Sequence, residues 1–263
     1  MFHKLTETEI WYYHNYTSWI MFIIILLFSI LGYYLSYSKN GRKYIQNISI
    51  FLIGFCFLQE IVDHLNRFFW DKNYTMSWQR DLPIHFCHLA FYFSIYVIIK
   101  KIYNKNNTSH LIQFFFGAAF LLGLTGALQS ILTPDITHIH NFVGVVTGQL
   151  QHSLILLNVF WLVFAYNMKV YLKDVMNSYL FINLIIPLAI LLNQYLGYNS
   201  SGYPANYLYV SELPNADNFI IDMISSYPFP IYLFYGQPIL IIYLLISYLP
   251  FTLLSFKRKL YSN

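Results

Sequence analysis

Apolar residues fall in seven stretches of helix-spanning length, near Ser18–Ser36, Ile48–Asn66, Leu82–Ile99, Leu111–Leu132, Asn141–Tyr166, Val175–Leu196 and Ile231–Phe256. About 20 helical residues cross a hydrocarbon core of about 30 Å, so each stretch predicts one transmembrane helix. Backbone polar groups must be satisfied internally in lipid, and these runs lack the period-2 alternation of barrel strands. The predicted fold class is therefore all-α, a polytopic membrane helix bundle of about seven transmembrane helices. The first stretch is too long for a signal-peptide core, has no basic segment before it and no small-residue cleavage site after it, so it reads as a retained helix.

The polar intervals between the stretches are short except for Gly197–Pro230, which has no Lys or Arg and is rich in Tyr, Asn, Ser and Pro. The pattern predicts a single integral membrane domain over residues 1–263 with one long outer loop at about 197–230. That loop carries turn chemistry with aromatics, in Pro204–Tyr209 and Glu212–Pro214, and suits either a lid at the membrane interface or an ordinary connector. Gly144 and Gly148 form a small-xxx-small pair expected to let the fifth helix approach a neighbour closely.

Composition strengthens the membrane reading, because a chain that is 57% hydrophobic, 21% aromatic and 10% charged cannot hide its apolar surface in a soluble core. Lys39, Arg42, Lys43, Lys100, Lys101, Lys105, Lys169, Lys173, Lys257, Arg258 and Lys259 fall on one side of seven spans. Only Lys4, Arg67, Lys72 and Arg80 fall on the other. The positive-inside rule makes the first side cytoplasmic, which puts the N-terminus out and the C-terminus in, in a multi-pass protein of the cell membrane. The net charge of +4 is thus an orientation signal without a basic stripe, and nucleic acid is not an expected partner. Heavy use of Asn, Ile, Lys, Phe and Tyr fits an AT-rich bacterial genome. Cys56 and Cys87 are the two cysteines, too few for a disulfide framework or a four-cysteine zinc site.

Ionisable residues inside spans cost a few kcal/mol each, so they mark where chemistry could be. On the second helix Cys56, Gln59, Glu60, Asp63, His64 and Arg67 follow the spacing of one face. They form either a self-neutralised structural network or the polar wall of an outward-opening pocket. On the third, Leu82-Pro83-Ile84-His85-Phe86-Cys87-His88 places a Pro in the expected first turn. There His85 and His88 share a face, while Cys87 lies about 200° round from His85 if the turn is regular. On the fifth, Gln149, Gln151 and His152 need hydrogen-bond partners from another helix, for which Gln129 near the outer end of the fourth is a candidate.

A Cys thiolate is the only intrinsically strong nucleophile in this set, and it needs an imidazole to take and return its proton. Cys87 with His152 is the expected catalytic pair, although they sit about 8 and 16 Å from their helix starts at about 1.5 Å per residue.

Asp81-Leu82-Pro83-Ile84-His85-Phe86-Cys87-His88-Leu89 also resembles the first signature of the YwaF-type integral membrane family, which includes transmembrane protein 164. Gly126–Asp135, Gln151-His152-Ser153-Leu154 and Asn206-Tyr207-Leu208-Tyr209 are similar to further signatures, in the family's order across Trp70–Pro214. Phe86 and His88 around the Cys depart from that family's pattern. The resemblance implies a compact helical fold and acyl transfer between phospholipids through an acyl-Cys intermediate, with Cys87 as nucleophile and His152 as its partner.

The expected function is a membrane-embedded lipid acyltransferase or acyl hydrolase acting on phospholipid acyl chains, with no cofactor. Two alternatives remain. A metal-dependent lipid amide hydrolase could draw on His64, His85, His88, His138, His140 and the second-helix carboxylates, but the HExxH spacing is missing. A non-enzymatic transporter could use polar helix faces with kinks at Pro187, Pro238 and Pro250, but no inverted repeat is visible.

Overall fold

The computed structural model describes residues 3–104, 109–214 and 219–260; Lys105 of the expected cytoplasmic loops and positions 215–218 of the long loop lie outside the described residues. The chain is 76% helical, with no strand among the described residues. Seven helices are long and apolar enough to cross a membrane: Glu7–Tyr37, Gly41–Trp70, Phe86–Tyr103, His110–Leu132, Phe142–Ala165, Leu172–Leu196 and Ile231–Leu253. They are the first to seventh spans below. A short helix, Phe219–Ser225, precedes the seventh.

Two helix starts differ from the hydropathy pattern for local reasons. The first span begins before the apolar run because Thr6 and Glu9 form a capping box that satisfies the exposed N–H groups. The third begins only at Phe86, so Leu82-Pro83-Ile84-His85 is not a first helical turn. His85 is the N-cap, with ψ of 157°, and Pro83 lies in extended chain ahead of it. The amide of Leu82 donates to the Tyr207 hydroxyl instead, at 2.9 Å.

The fifth span is the axis of the bundle. Two-thirds of its most apolar window is buried (67%), against 17% for the first and seventh spans. It packs against the first, second, third and fourth spans. Between helices in lipid the attraction comes from close packing and polar contacts rather than from water exclusion. At Gly32 a side chain would sit 3.2 Å from Ala165 and from Trp161, so the missing Cβ sets the closest approach of the first and fifth spans. Trp161 donates to Ser49 at 2.9 Å, and Asn158 donates to Ser94 at 3.1 Å, pinning the second and third spans to the same axis.

The outer surface matches a lipid solvent. Leu180, Leu184, Leu188 and Leu191 form an exposed stripe on the sixth span. Exposed Tyr12, Tyr16 and Trp19 at one end of the first span and Tyr33, Tyr34 and Tyr37 at the other are placed like aromatic belts.

Two spans leave α-helical geometry, the second at the polar cavity described next and the fourth beside Cys87. The second ends in a π turn, Asn66–Trp70, and the fourth contains one at Gly123–Ala127. Such wide turns concentrate at functional sites. The first is tied to the fifth span by a cap: the Asn141 side chain accepts from the Gly144 amide at 2.8 Å and donates to Asn66 at 2.9 Å.

Candidate functional site

A cavity of about 260 Å³ opens at the end of the bundle that carries the 71–85 and 133–141 loops. Its walls come from the first five spans and from the long loop. It holds His14, His85, Cys87, His88, His138 and His152 on one continuous surface, with Asp63, Arg67, Gln149 and Gln151 among them.

His85, Cys87 and His88 line it together, contrary to the expectation for a regular first turn. The extended N-cap at His85 breaks the 100° progression, so its ring and the Cys87 thiol reach the same space. The thiol lies beside the Ser130 hydroxyl. A Cβ on Gly126 would be 3.5 Å from the sulfur, so the fourth span passes close by.

His152 is held in one tautomer. Its Nδ1 is 3.0 Å from the Gly148 carbonyl, which can only accept, so Nδ1 carries the hydrogen and the neutral ring keeps a lone pair on Nε2. Gly148 itself does not serve helix contact as expected. A Cβ there meets nothing within 4 Å, and the residue lines the cavity. Its partner in the pattern, Gly144, does make a close approach, 3.3 Å to Asn66.

Above these residues the charges neutralise one another. Arg67 binds Asp63 at 2.7 Å and Asp81 at 3.3 Å. The Tyr74 hydroxyl donates to Asp81 in a short hydrogen bond and accepts from Arg67 at 3.2 Å. Burial pushes that hydroxyl up to about 12, so it stays a donor at neutral pH. Asp63 also accepts from Thr147 at 2.7 Å, which joins the cluster to the fifth span. Arg80 lies over the Tyr74 ring at 4.5 Å and its guanidinium meets Nδ1 of His138 at 3.2 Å. A guanidinium cannot accept, so this His138 nitrogen is unprotonated. Burial, and then Arg80, holds His138 below the ordinary imidazole range.

The long loop closes one side. Tyr207 is fully buried and its hydroxyl donates to the Trp78 carbonyl at 2.6 Å, which stitches the loop to the segment before the third span. Asn206 braces the next turn by accepting from the amides of Ser211 and Glu212 at 3.1 Å each. Leu208 and Tyr209 are held at φ of 59° and 54°, a left-handed backbone that costs non-glycine residues about 1–3 kcal/mol and collects at functional sites. Tyr209 lines the cavity, its ring 5.3 Å from that of His85.

Several polar atoms are left without partners. Nδ1 of His85, Nδ1 of His88 and Oε1 of Gln149 are buried and make no hydrogen bond, and all three residues line the cavity. Such atoms are costly unless something pairs with them.

Asn206 and Tyr207, expected at the pocket, brace the loop without lining the cavity, and three further residues expected at the site stand elsewhere. His64 is exposed on the outer surface, its Nδ1 2.8 Å from the Glu60 carbonyl, about 100° round the helix from Asp63 in the buried stripe of Gln59, Asp63 and Asn66. Glu60 sits at the edge of that stripe and reaches the site only through Gln151, which donates to it at 2.9 Å. Gln129 does not approach His152. Its amide donates to Thr133 at 3.3 Å and the residue lines a different, apolar cavity. Ser130, one position on, faces Cys87 in its place. His14, Ser130 and Tyr209 are among the lining residues that the sequence pattern did not nominate. His14 donates from Nε2 to the Ile131 carbonyl at 2.8 Å, and shows in the sequence only as a His in the polar first turns of an apolar helix.

No group of three or more His, Cys, Asp or Glu residues among the described residues is placed to hold a metal ion. His140 is bound instead to Asp71 at 3.0 Å.

The TMEM164 family matches residues 11–248, and the chain belongs to it. Neither a curated protein nor a solved structure matches.

Proposed function

We propose that this TMEM164-family chain is a lipid acyltransferase or acyl hydrolase of the cell membrane, with Cys87 as nucleophile and His152 as general base. The observation that carries the reading is that Cys87 and His152 line one cavity, with His152 fixed in the tautomer that leaves Nε2 free to take a proton. The distribution of Lys and Arg supports placing the open end of that cavity on the outer side, with the N-terminus out and the C-terminus in.

The thiol proton passes to Nε2 of His152, directly or through a cavity water, as the sulfur bonds to the acyl carbonyl carbon. The carbonyl π pair moves to its oxygen, for which the Ser130 hydroxyl beside the thiol is the candidate donor. On collapse the C–O ester bond breaks and the imidazolium returns the proton to the leaving lyso-lipid oxygen. An acceptor hydroxyl, or water, then gives its proton to His152 and attacks the thioester, and the thiol is restored. The unpartnered nitrogens of His85 and His88 suit the polar part of a lipid.

Purified protein incubated with radiolabelled phospholipid is expected to form a hydroxylamine-sensitive acyl adduct. Cys87→Ser abolishes the thioester and rapid turnover, since a serine hydroxyl is a far weaker nucleophile with this base. Full turnover by Cys87→Ser overturns the proposal, and loss of activity to chelators with retention in Cys87→Ser supports a metal enzyme instead.

A further inference from the structure

A second cavity, about 330 Å³, lies between the fourth, sixth and seventh spans and the short helix Phe219–Ser225. Leu122, Ile182, Ile239 and Leu240 give it an apolar wall. Its amide, Gln129, is turned to Thr133 on its own helix. The unpartnered nitrogens of His85 and His88 and the Gln149 oxygen all belong to the other, polar cavity.

The two spaces adjoin at Cys87. Phe86 lines the apolar cavity and Cys87 the polar one. Gly126, also on the apolar wall, has no side chain to fill the step between that wall and the sulfur, which lies 3.5 Å from where a Cβ would stand. An ester joins hydrocarbon to polar groups at one carbon, and this arrangement offers the same division around one thiol.

We propose that the apolar cavity is the acyl-chain subsite, holding the hydrocarbon of the phospholipid whose carbonyl lies against Cys87. This rests on the assignment of Cys87 as nucleophile. The occupant is a lipid chain because the walls belong to spans whose surroundings are hydrocarbon, so an aliphatic chain enters without leaving an apolar medium. Gly236 on the seventh span sets the room at the far wall, since a Cβ there meets nothing within 4 Å. A larger side chain at that position projects into open space rather than into backbone.

The test separates the subsite from the chemistry. Cys87→Ala protein is placed in phosphatidylcholine vesicles doped with a phosphatidylcholine that carries a diazirine near the methyl end of one chain, and crosslinks are mapped by mass spectrometry. Labelling is expected at Leu240 inside the cavity as well as at Ile242 and Ile246, which face outward. Gly236→Leu is expected to abolish the Leu240 label and leave the outward ones unchanged, and Ile239→Trp is a second variant with the same expectation. In protein with Cys87 intact, Gly236→Leu is expected to shift adduct formation from dioleoyl towards didecanoyl phosphatidylcholine. An unchanged Leu240 label together with an unchanged chain preference overturns the subsite. A Leu240 label lost in Gly236→Leu, with no adduct from any chain in the native protein, retains the lipid site and removes Cys87 as its nucleophile.

Discussion

His152 and Gly148 form a hydrogen bond within one helical turn, Nδ1 to main-chain oxygen at 3.0 Å, and it orients Nε2, the proposed base, without help from a carboxylate. His152→Asn can keep that bond through its amide but offers no proton acceptor. It is therefore expected to fold like the native protein and to lose about 10²–10⁴-fold in adduct formation, the usual worth of a positioned base. His152→Ala should lose as much and regain part of it with added imidazole. A rate for His152→Asn close to native sets the residue aside as structural.

The pair Asp63–Arg67 holds the end of the second span to the Asp81 segment that leads into Cys87. Asp63→Asn leaves Arg67 short of a partner beside a low-dielectric interior, and breaking such a pair costs about 3 kcal/mol. The melting temperature in detergent is expected to fall, and adduct formation with it. The double substitution Asp63→Leu with Arg67→Met should lose less stability than Asp63→Asn alone, because no cation is left short of a partner and Asp81 keeps Arg80 at 3.6 Å. Greater loss in the double variant would show that the cluster's hydrogen bonds outweigh its charge.

Cys56 is fully buried on the second span and accepts from Asn158 at 3.4 Å, away from the cavity. A serine oxygen can accept the same hydrogen bond. Cys56→Ser is expected to keep native adduct formation and native turnover, and a loss matching that of Cys87→Ser would point to a thiol requirement other than the proposed one.

His138 gives the loop a pH dependence whose sign is fixed. Its native imidazole binds a proton less readily than the ordinary 6.5, chiefly through burial and then through Arg80. The unfolded chain therefore takes up more protons below that value, and stability is complete above it and lost as pH falls. Melting temperature should drop as pH falls below about 6.5. His138→Gln, which can still accept from Arg80, should remove part of that drop. An identical profile in the variant would assign the whole effect to other groups.

Hydropathy alone places all seven spans, because lipid imposes a length and a polarity on each that a soluble core does not. What it misses lies where backbone geometry departs from a uniform helix. Counting 100° per residue from Pro83 parts Cys87 from His85, whereas the extended N-cap lets both rings and thiol share one cavity. Position near the outer end of the fourth span nominates Gln129 as a partner for His152, yet after the π turn at Gly123–Ala127 it is Ser130 that stands in the cavity, beside Cys87. His64 follows the apparent polar stripe of the second span but falls beyond its buried edge, since a stripe of polar letters has no sharp border until neighbours are packed against it. Tyr209 owes its place to a left-handed backbone that no pattern of hydrophobic and polar letters encodes.

The wide turn at Gly123–Ala127 also gives the fourth span a reserve of length at one place. A π turn is an α-helix carrying one surplus residue, so removing Leu124 lets the helix close up into ordinary geometry while the residues after it keep their places. Ser130 would then stay beside the thiol and the Ile131 carbonyl beside His14. A second deletion in the same span has no surplus to draw on and would swing everything after it by about 100°.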